Sequence, residues 1–217
     1  MEPWRGKVAL VTGASSGIGP AVAERLSAEG MKVAVCARRE AALIALADRL
    51  APAPVLARAV DLRDEAAILA LFAEIEQTWG GVDVLVNNAG LGHNVTLTDG
   101  TTEQWRETLE VNVLALSICT RETLQGLRRR GTAGHIVHVS SMSGHRVPGG
   151  SGMYAATKHA VKALTEALRH ELRAEGSATR VSAISPGFVE TGFAAHYHKS
   201  EERARETYAR YPCLQPE

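Results

Sequence analysis

Tyr154 and Lys158 stand four positions apart in the run Tyr154-Ala155-Ala156-Thr157-Lys158, which puts both side chains on one face of a helix. A phenol and an ammonium on one face are equipment for moving a proton. Free tyrosine titrates near pH ~10, too high for exchange at neutrality. An ammonium ~4 Å away, at an effective dielectric of ~20, favours the phenolate by roughly 4 kcal/mol. That is about 3 pKa units and takes the phenol toward ~7. Desolvation opposes the shift, so the figure is an upper bound. Ser140-Ser141 follows the apolar run His135–Val139, and ligands of open α/β sheets sit beyond the carboxyl ends of such strands. The serines are therefore expected beside the tyrosine.

A second chemical feature is Thr12-Gly13-Ala14-Ser15-Ser16-Gly17-Ile18-Gly19, between a β-branched run and a helical one. A diphosphate must meet backbone N–H donors at close range. Glycines permit that approach, and a helix N-terminus supplies donors and a favourable dipole. Two other motifs overlap here. Gly13-Ala14-Ser15-Ser16-Gly17 matches the G-x-S-x-G elbow of serine hydrolases, but no acid and histidine stand out after it to complete a triad. A phosphate loop ending in Gly-Lys-Ser/Thr is ruled out by Ile18-Gly19-Pro20. Pro20 has no N–H, which the first turn of a helix does not need.

The next strand ends Val35-Cys36-Ala37-Arg38-Arg39, with no acid before Glu40. An NAD site places Asp or Glu there for the ribose 2′-hydroxyl, whereas NADP needs a cation for the 2′-phosphate. Two arginines ahead of a helix N-terminus are electrostatically misplaced unless an anion joins them. Arg38 and Arg39 thus point to NADP, or else are solvated surface residues.

These residues must be positioned by elements whose hydrophobic period alternates between strand and helix. Strand-like runs are Lys7–Thr12, Lys32–Ala37, Val55–Val60, Asp83–Val86, His135–Val139 and Arg180–Ile184. Helical runs are Ala21–Glu29, Ala41–Leu50, Glu65–Trp79, one long helix from about Thr102 to Arg130, and Met153–Ala174. Thr101 and Gln104 form a capping box ahead of the long helix. Apolar strands alternating with crossover helices predict an α/β fold: a Rossmann-type doubly wound parallel sheet in a single domain over 1–217. The polar tail Phe188–Glu217 reads as a substrate lid or a surface helix, with helical spacing over Glu201–Tyr208; Phe193 and Tyr197 in it can cover an apolar substrate.

Gly13–Gly19, Asn87-Asn88-Ala89-Gly90, Ser141, Tyr154 with Lys158, and Pro186-Gly187 together resemble the short-chain dehydrogenase/reductase family, in family order and over almost the whole chain. The resemblance implies that Tyr154 is the general acid/base, and that Lys158 lowers its pKa and holds the nicotinamide ribose. It makes Ser141, thirteen residues before Tyr154 as is usual in the family, the group that orients the carbonyl. Asn112, mid-helix despite poor propensity, matches the family asparagine that holds a water in a proton relay. Cofactor contacts are implied for Gly13, Ser15, Ser16, Gly17, Ile18 and Gly19, for Arg38 and Arg39, and for Asp61 and Leu62 around the adenine. Asn88, Ala89, Gly90, Tyr154, Lys158, Pro186, Gly187, Val189 and Thr191 complete the cofactor set, the last two closing over the nicotinamide. Val111–Glu122, Ser141–Val147 and Ile184–Thr191 are similar to a cytosolic NADPH-dependent ketosteroid and carbonyl reductase subgroup. The implied activity is hydride transfer between NADPH and a ketone or secondary alcohol, by a homodimer or homotetramer. A catalytically weak NADP-binding sensor or interaction module is the alternative. Family members usually continue with another helix and a seventh strand. This sequence stops at Cys213-Leu214-Gln215-Pro216-Glu217, so a sheet lacking its usual last strand, with the sixth as an edge, is expected.

Composition agrees. Of the 217 residues, 24 are Lys or Arg and 24 are Asp or Glu, so no basic excess points to nucleic acid. No apolar run is long enough to span a bilayer, and nothing at the start resembles a signal peptide. Cys36, Cys119 and Cys213 have no metal-ligand spacing and fit free thiols in a reducing cytoplasm. His135 and His138, three apart on one strand, face opposite sides and cannot share a metal. His196 and His198 lack a third ligand. His145 and Arg146 sit at the pocket mouth or in an ordinary loop. No metal is expected.

Overall fold

A computed structural model describes residues 2–216; Met1 and Glu217, the ends of the expected 1–217 domain and of the 188–217 tail, lie outside the described residues. The strands are β1 (Val8–Thr12), β2 (Lys32–Ala37), β3 (Val55–Ala59), β4 (Val84–Asn87), β5 (His135–Val139) and β6 (Arg180–Ile184). They form one parallel sheet in the order β3-β2-β1-β4-β5-β6. The order reverses between β1 and β4, and the crevice beyond their carboxyl ends is where such sheets bind ligands.

The helices are α1 (Ile18–Ala28), α2 (Glu40–Leu50), α3 (Glu65–Trp79), α4 (Thr102–Leu109), α5 (Leu116–Arg130), α6 (Gly152–Ala174), α7 (Phe193–His198) and α8 (Glu201–Arg210). Alternation along the strands divides the core. Leu10, Ala34, Leu85 and Ile136 pack with Ile68, Leu71 and Ile75 of α3, Ile118 of α5 and Leu168 and Leu172 of α6. Ala9, Val11, Val33 and Val35 pack with Ala23 of α1 and Leu43 and Leu46 of α2. Both faces of β1 and β2 are covered, which is why Val8–Val11 and Val33–Ala37 are apolar without alternation. Ser, Thr or Asp caps open several helices: Asp64 accepts from Ala67 N–H, and Thr101 and Gln104 close the capping box with bonds of 3.3 and 3.0 Å.

Two elements differ from expectation. The long helix Thr102–Arg130 is not continuous α-helix: a π-helical turn, Glu110–Ala115, separates α4 from α5. One extra residue per turn is invisible to apolar spacing when Val111, Val113, Leu114 and Leu116 supply apolar side chains all round. The tail contains two helices rather than one, α7 and α8, tied back by paired bonds between Phe188, Glu190 and Leu214.

Candidate active site

The glycine turn is held by its neighbour strand. Thr12 Oγ1 accepts from the N–H groups of Asn88 and Ala89, each at 3.1 Å. Asn88 Nδ2 donates to the carbonyls of Thr12 (2.9 Å) and Gly13 (3.2 Å). Gly13 has φ +69°, and a Cβ there would lie 2.7 Å from Ala89 Cα. A Cβ on Gly19 would lie 2.5 Å from the Gly13 carbonyl oxygen. Neither position admits another residue without moving backbone. α1 then opens after Gly17, which offers no side chain to cap it, so its first N–H donors face the crevice unspent. That arrangement fits a diphosphate. Ser15 is partly buried and Ser16 exposed on this turn.

Tyr154 and Lys158 lie on α6, and Ser141 caps a short 3-10 turn after β5, its Oγ accepting from Ser143 N–H at 3.0 Å. Its neighbour Ser140 faces the interior and donates to the Lys158 carbonyl at 3.2 Å. Asn112, in the π-helical turn, is buried. Its Oδ1 accepts from Leu91 N–H (2.9 Å) and its Nδ2 donates to the Leu91 carbonyl (2.8 Å) and Thr157 Oγ1 (3.0 Å). Lys158 Nζ donates to the Val139 carbonyl at 2.8 Å. Asn112 and Lys158 converge at Gly90, where a Cβ would sit 3.4 Å from Asn112 Oδ1 and 3.3 Å from Lys158 Nζ.

The electrostatics correct one expectation. Lys158 does not bring the Tyr154 phenol toward neutrality. Burial pushes the phenol up to about 12, and a hydrogen bond with Ser141 pulls the other way. Burial pushes Lys158 down to about 8. The ammonium turns one of its donors to the Val139 carbonyl and lies 5.8 Å from the centre of the tyrosine ring, and desolvation exceeds the pairing that spacing alone suggests.

Around the nucleotide side, Arg39 bonds the Ser15 hydroxyl at 3.1 Å (Nη2) and the Ser15 carbonyl at 3.2 Å, while Arg38 pairs with Glu107 at 3.5 Å. Asp61 binds Arg63 at 2.7 Å, and that guanidinium holds its carboxyl below the usual carboxylate range. Leu62 is buried. The Pro186 carbonyl accepts from Met142 N–H at 3.0 Å, which ties the exposed Gly187 loop to the serine turn. Val189 bridges to Leu214, and Thr191 packs its side chain against Gly17.

On the substrate side, the Phe193 and Tyr197 rings stand 5.4 and 5.9 Å from the Tyr154 ring. α7 is latched by bonds from Asn94 N–H to the Tyr197 carbonyl (2.9 Å) and from the Tyr197 hydroxyl to the Gly150 carbonyl (3.2 Å). His145 bonds Ser185 at 2.9 Å. His135 meets Ser182, while His138 is buried between Thr120 and Thr165 on the opposite face. No group of three metal-ligating side chains occurs among the described residues. Sequence reasoning overlooked Thr12, Thr157, Leu91 and Val139. Thr12 stood in the quoted motif, whereas Leu91 and Val139 act through backbone atoms, which leave no trace in residue type.

With the site laid out, similarity to known proteins defines its class. The family profile described as short chain dehydrogenase matches residues 7–202. The chain is 48% identical to dehydrogenase/reductase SDR family member 11 of Bos taurus, covering 100% of this chain and 88% of that protein. It is 44% identical to farnesol dehydrogenase of Aedes aegypti, over 88% of this chain and 80% of that one. Among solved structures it resembles a closed form of serine dehydrogenase with NADP+ (TM-score 0.90, 33% identity, 96% of this chain and 84% of that one). It also resembles a Burkholderia phymatum short-chain dehydrogenase/reductase with NAD (TM-score 0.87, 36% identity, 90% of this chain and 70% of that one). The chain belongs to the short-chain dehydrogenase family and is an oxidoreductase. No helix among the described residues is long and apolar enough to cross a membrane.

Proposed function

We propose that the protein transfers hydride reversibly between NADPH and an apolar ketone or secondary alcohol. The observation that carries this reading is the convergence of Ser141, Tyr154, Lys158 and Asn112 beside a glycine turn built to receive a diphosphate. Bound nicotinamide supplies or accepts the hydride. The turn Gly13–Gly19 and α1 hold the diphosphate, Asn88, Ala89 and Gly90 line the path, Asp61 and Leu62 flank the adenine, and Pro186, Gly187, Val189 and Thr191 border the nicotinamide. Ser141 orients the carbonyl oxygen, and the Tyr154 hydroxyl gives it a proton. A phenol held near 12 stays protonated at neutral pH, which suits the reductive direction. The reverse reaction needs the phenoxide and gains from alkaline conditions. Lys158 holds the ribose, and Asn112 fixes Leu91, the residue after the Asn-Asn-Ala-Gly run.

NADP is favoured by Arg38 and Arg39 with no acid before Glu40. An apolar substrate is favoured by the Phe193 and Tyr197 rings against Tyr154 and by the likeness to farnesol dehydrogenase. The segment 188–217 serves as the lid. A homodimer or homotetramer through the helices carrying Asn112 and Tyr154, in the cytoplasm with its thiols Cys36, Cys119 and Cys213 free, completes the reading.

Tyr154→Phe tests it. Turnover of a panel of steroid, aromatic, isoprenoid and sugar carbonyls falls at least about a thousandfold, while NADPH titration by fluorescence is unchanged. Turnover near the parent level in that variant would remove Tyr154 from the chemistry. Arg38→Glu weakens NADPH far more than NADH; equal affinities of the parent for both would overturn the NADP assignment.

A further inference from the structure

The geometry points to Glu107 as a selectivity residue that opposes the grip of Arg38 on a 2′-phosphate. This inference rests on the assignment of Arg38 above. Glu107 comes from α4, far in sequence from the strand end that carries the arginine. Its Oε1 lies 3.5 Å from Arg38 Nη1, and its Oε2 lies 3.1 Å from His93 Nε2. The two oxygens therefore serve two different elements at once.

The carboxylate is fixed rather than free. Its side chain is only 19% exposed and that of His93 only 8%. The other ring nitrogen of His93, Nδ1, is buried with no hydrogen-bond partner among the described residues. Nε2 is thus the ring atom that finds a partner, and a carboxylate oxygen can only accept from it. The bond to His93 and the low exposure of both side chains favour Glu107 staying in place when Arg38 is claimed by another anion. The arginine side chain, 54% exposed, is the more accessible member of the pair.

Two anions then compete for one guanidinium. With NADH, Arg38 keeps Glu107. With NADPH, a 2′-phosphate that engaged Arg38 would draw it from Glu107, leaving that carboxylate with the more distant charge of Arg63. The carboxylate consequently lowers discrimination between the two nucleotides below what Arg38 and Arg39 alone would provide. At this exposure, an effect of about three- to tenfold on the affinity ratio is appropriate.

The test is titration of NADPH and NADH, followed by nicotinamide fluorescence, in the parent, Glu107→Gln, Glu107→Ala, Arg38→Gln and Arg38→Gln/Glu107→Gln. Removing the charge tightens NADPH about three- to tenfold, leaves NADH within about twofold, and the gain shrinks in high salt. In the Arg38→Gln background, the same removal changes the NADPH to NADH ratio by less. Thermal melts confirm folding, and Glu107→Ala serves if the amide disturbs His93. If the parent prefers NADPH and Arg38→Gln abolishes that preference, but neither Glu107 variant moves the ratio, the role of Glu107 is wrong while the Arg38 assignment stands. If Arg38→Gln leaves the ratio of the parent untouched, both fall together.

Discussion

β1 and β6 are both five-residue strands of one parallel sheet, yet every residue of β1 is buried and none of β6 is. β1 lies between two strands, with helices on both faces. β6 is the edge, and Ile184 at its carboxyl end is 55% exposed. The nucleotide side of the crevice grows out of the buried half, where close-packed backbone fixes the Gly13–Gly19 turn. The substrate side grows out of the exposed half, where Pro186–Thr191 and α7 are held by a few hydrogen bonds and aromatic contacts. The same sheet thus offers a rigid rail for one reactant and an adjustable wall for the other. Local stability follows buried apolar contact, and moving elements come from its low end.

The contrast is broken most severely at Gly19. Gly19→Val drives a side chain into the Gly13 carbonyl and destabilises the fold by about 3 kcal/mol. Chemical denaturation reads the loss, and nucleotide titration reads the disappearance of binding. A bulky residue at Gly187, which has nothing within 4 Å of where a Cβ would sit, leaves stability within about 0.5 kcal/mol. Similar losses at the two glycines would erase the distinction.

Acid is the next probe. Burial, then the nearby Lys158, pushes His138 down to about 4. An unfolded histidine titrates near ~6.5. Between those values the unfolded chain binds the extra proton, so stability falls as pH drops from ~6.5 to ~4, by up to about 3 kcal/mol. His138→Asn removes that component, and parallel acid-denaturation profiles of parent and variant would contradict it.

Lys158 follows the same sign in an alkaline window. With its folded value near 8 and an unfolded value near ~10.4, stability rises as pH climbs through that window. Lys158→Met removes the buried charge but strands the Val139 carbonyl. We expect about 1 kcal/mol of added stability at pH 7, a flattened alkaline profile, and lost turnover. Loss of stability would mean that the ammonium is better solvated than its surroundings imply.

The gentlest test concerns the latch. Asn94→Ala removes the bond from Asn94 Nδ2 to His198 Nδ1 (3.0 Å) but spares the backbone bond to Tyr197. KM rises two- to threefold, Tm stays within about 1 °C, and tryptic cleavage at exposed Lys199 accelerates. An unchanged cleavage rate would place the hold on α7 elsewhere.

How much was readable beforehand follows the same division. The doubly wound sheet, the glycine turn and the Tyr154–Lys158 pair were legible because periodicity, glycine and helical spacing are properties of residue type. The interruption at Glu110–Ala115 was not, because apolar residues lie on every side of it. Nor were the Arg38–Glu107 pair, which joins residues far apart in the chain, and the acceptors at Leu91 and Val139, which any residue would provide. The direction of the Tyr154 shift was misjudged because spacing reports proximity to an ammonium but not the depth at which both groups sit.

The π-helical turn has one more implication. An α-helix that swells by a single residue carries, in effect, an insertion absorbed on the spot. Shortening the chain there by one position would let the coil tighten into an unbroken rod. Because the extra residue is taken up within the turn itself, α4 and α5 would keep roughly their present faces. The loss would be local: the narrowed turn would draw Asn112 off Leu91, although the chain would remain as helical as before.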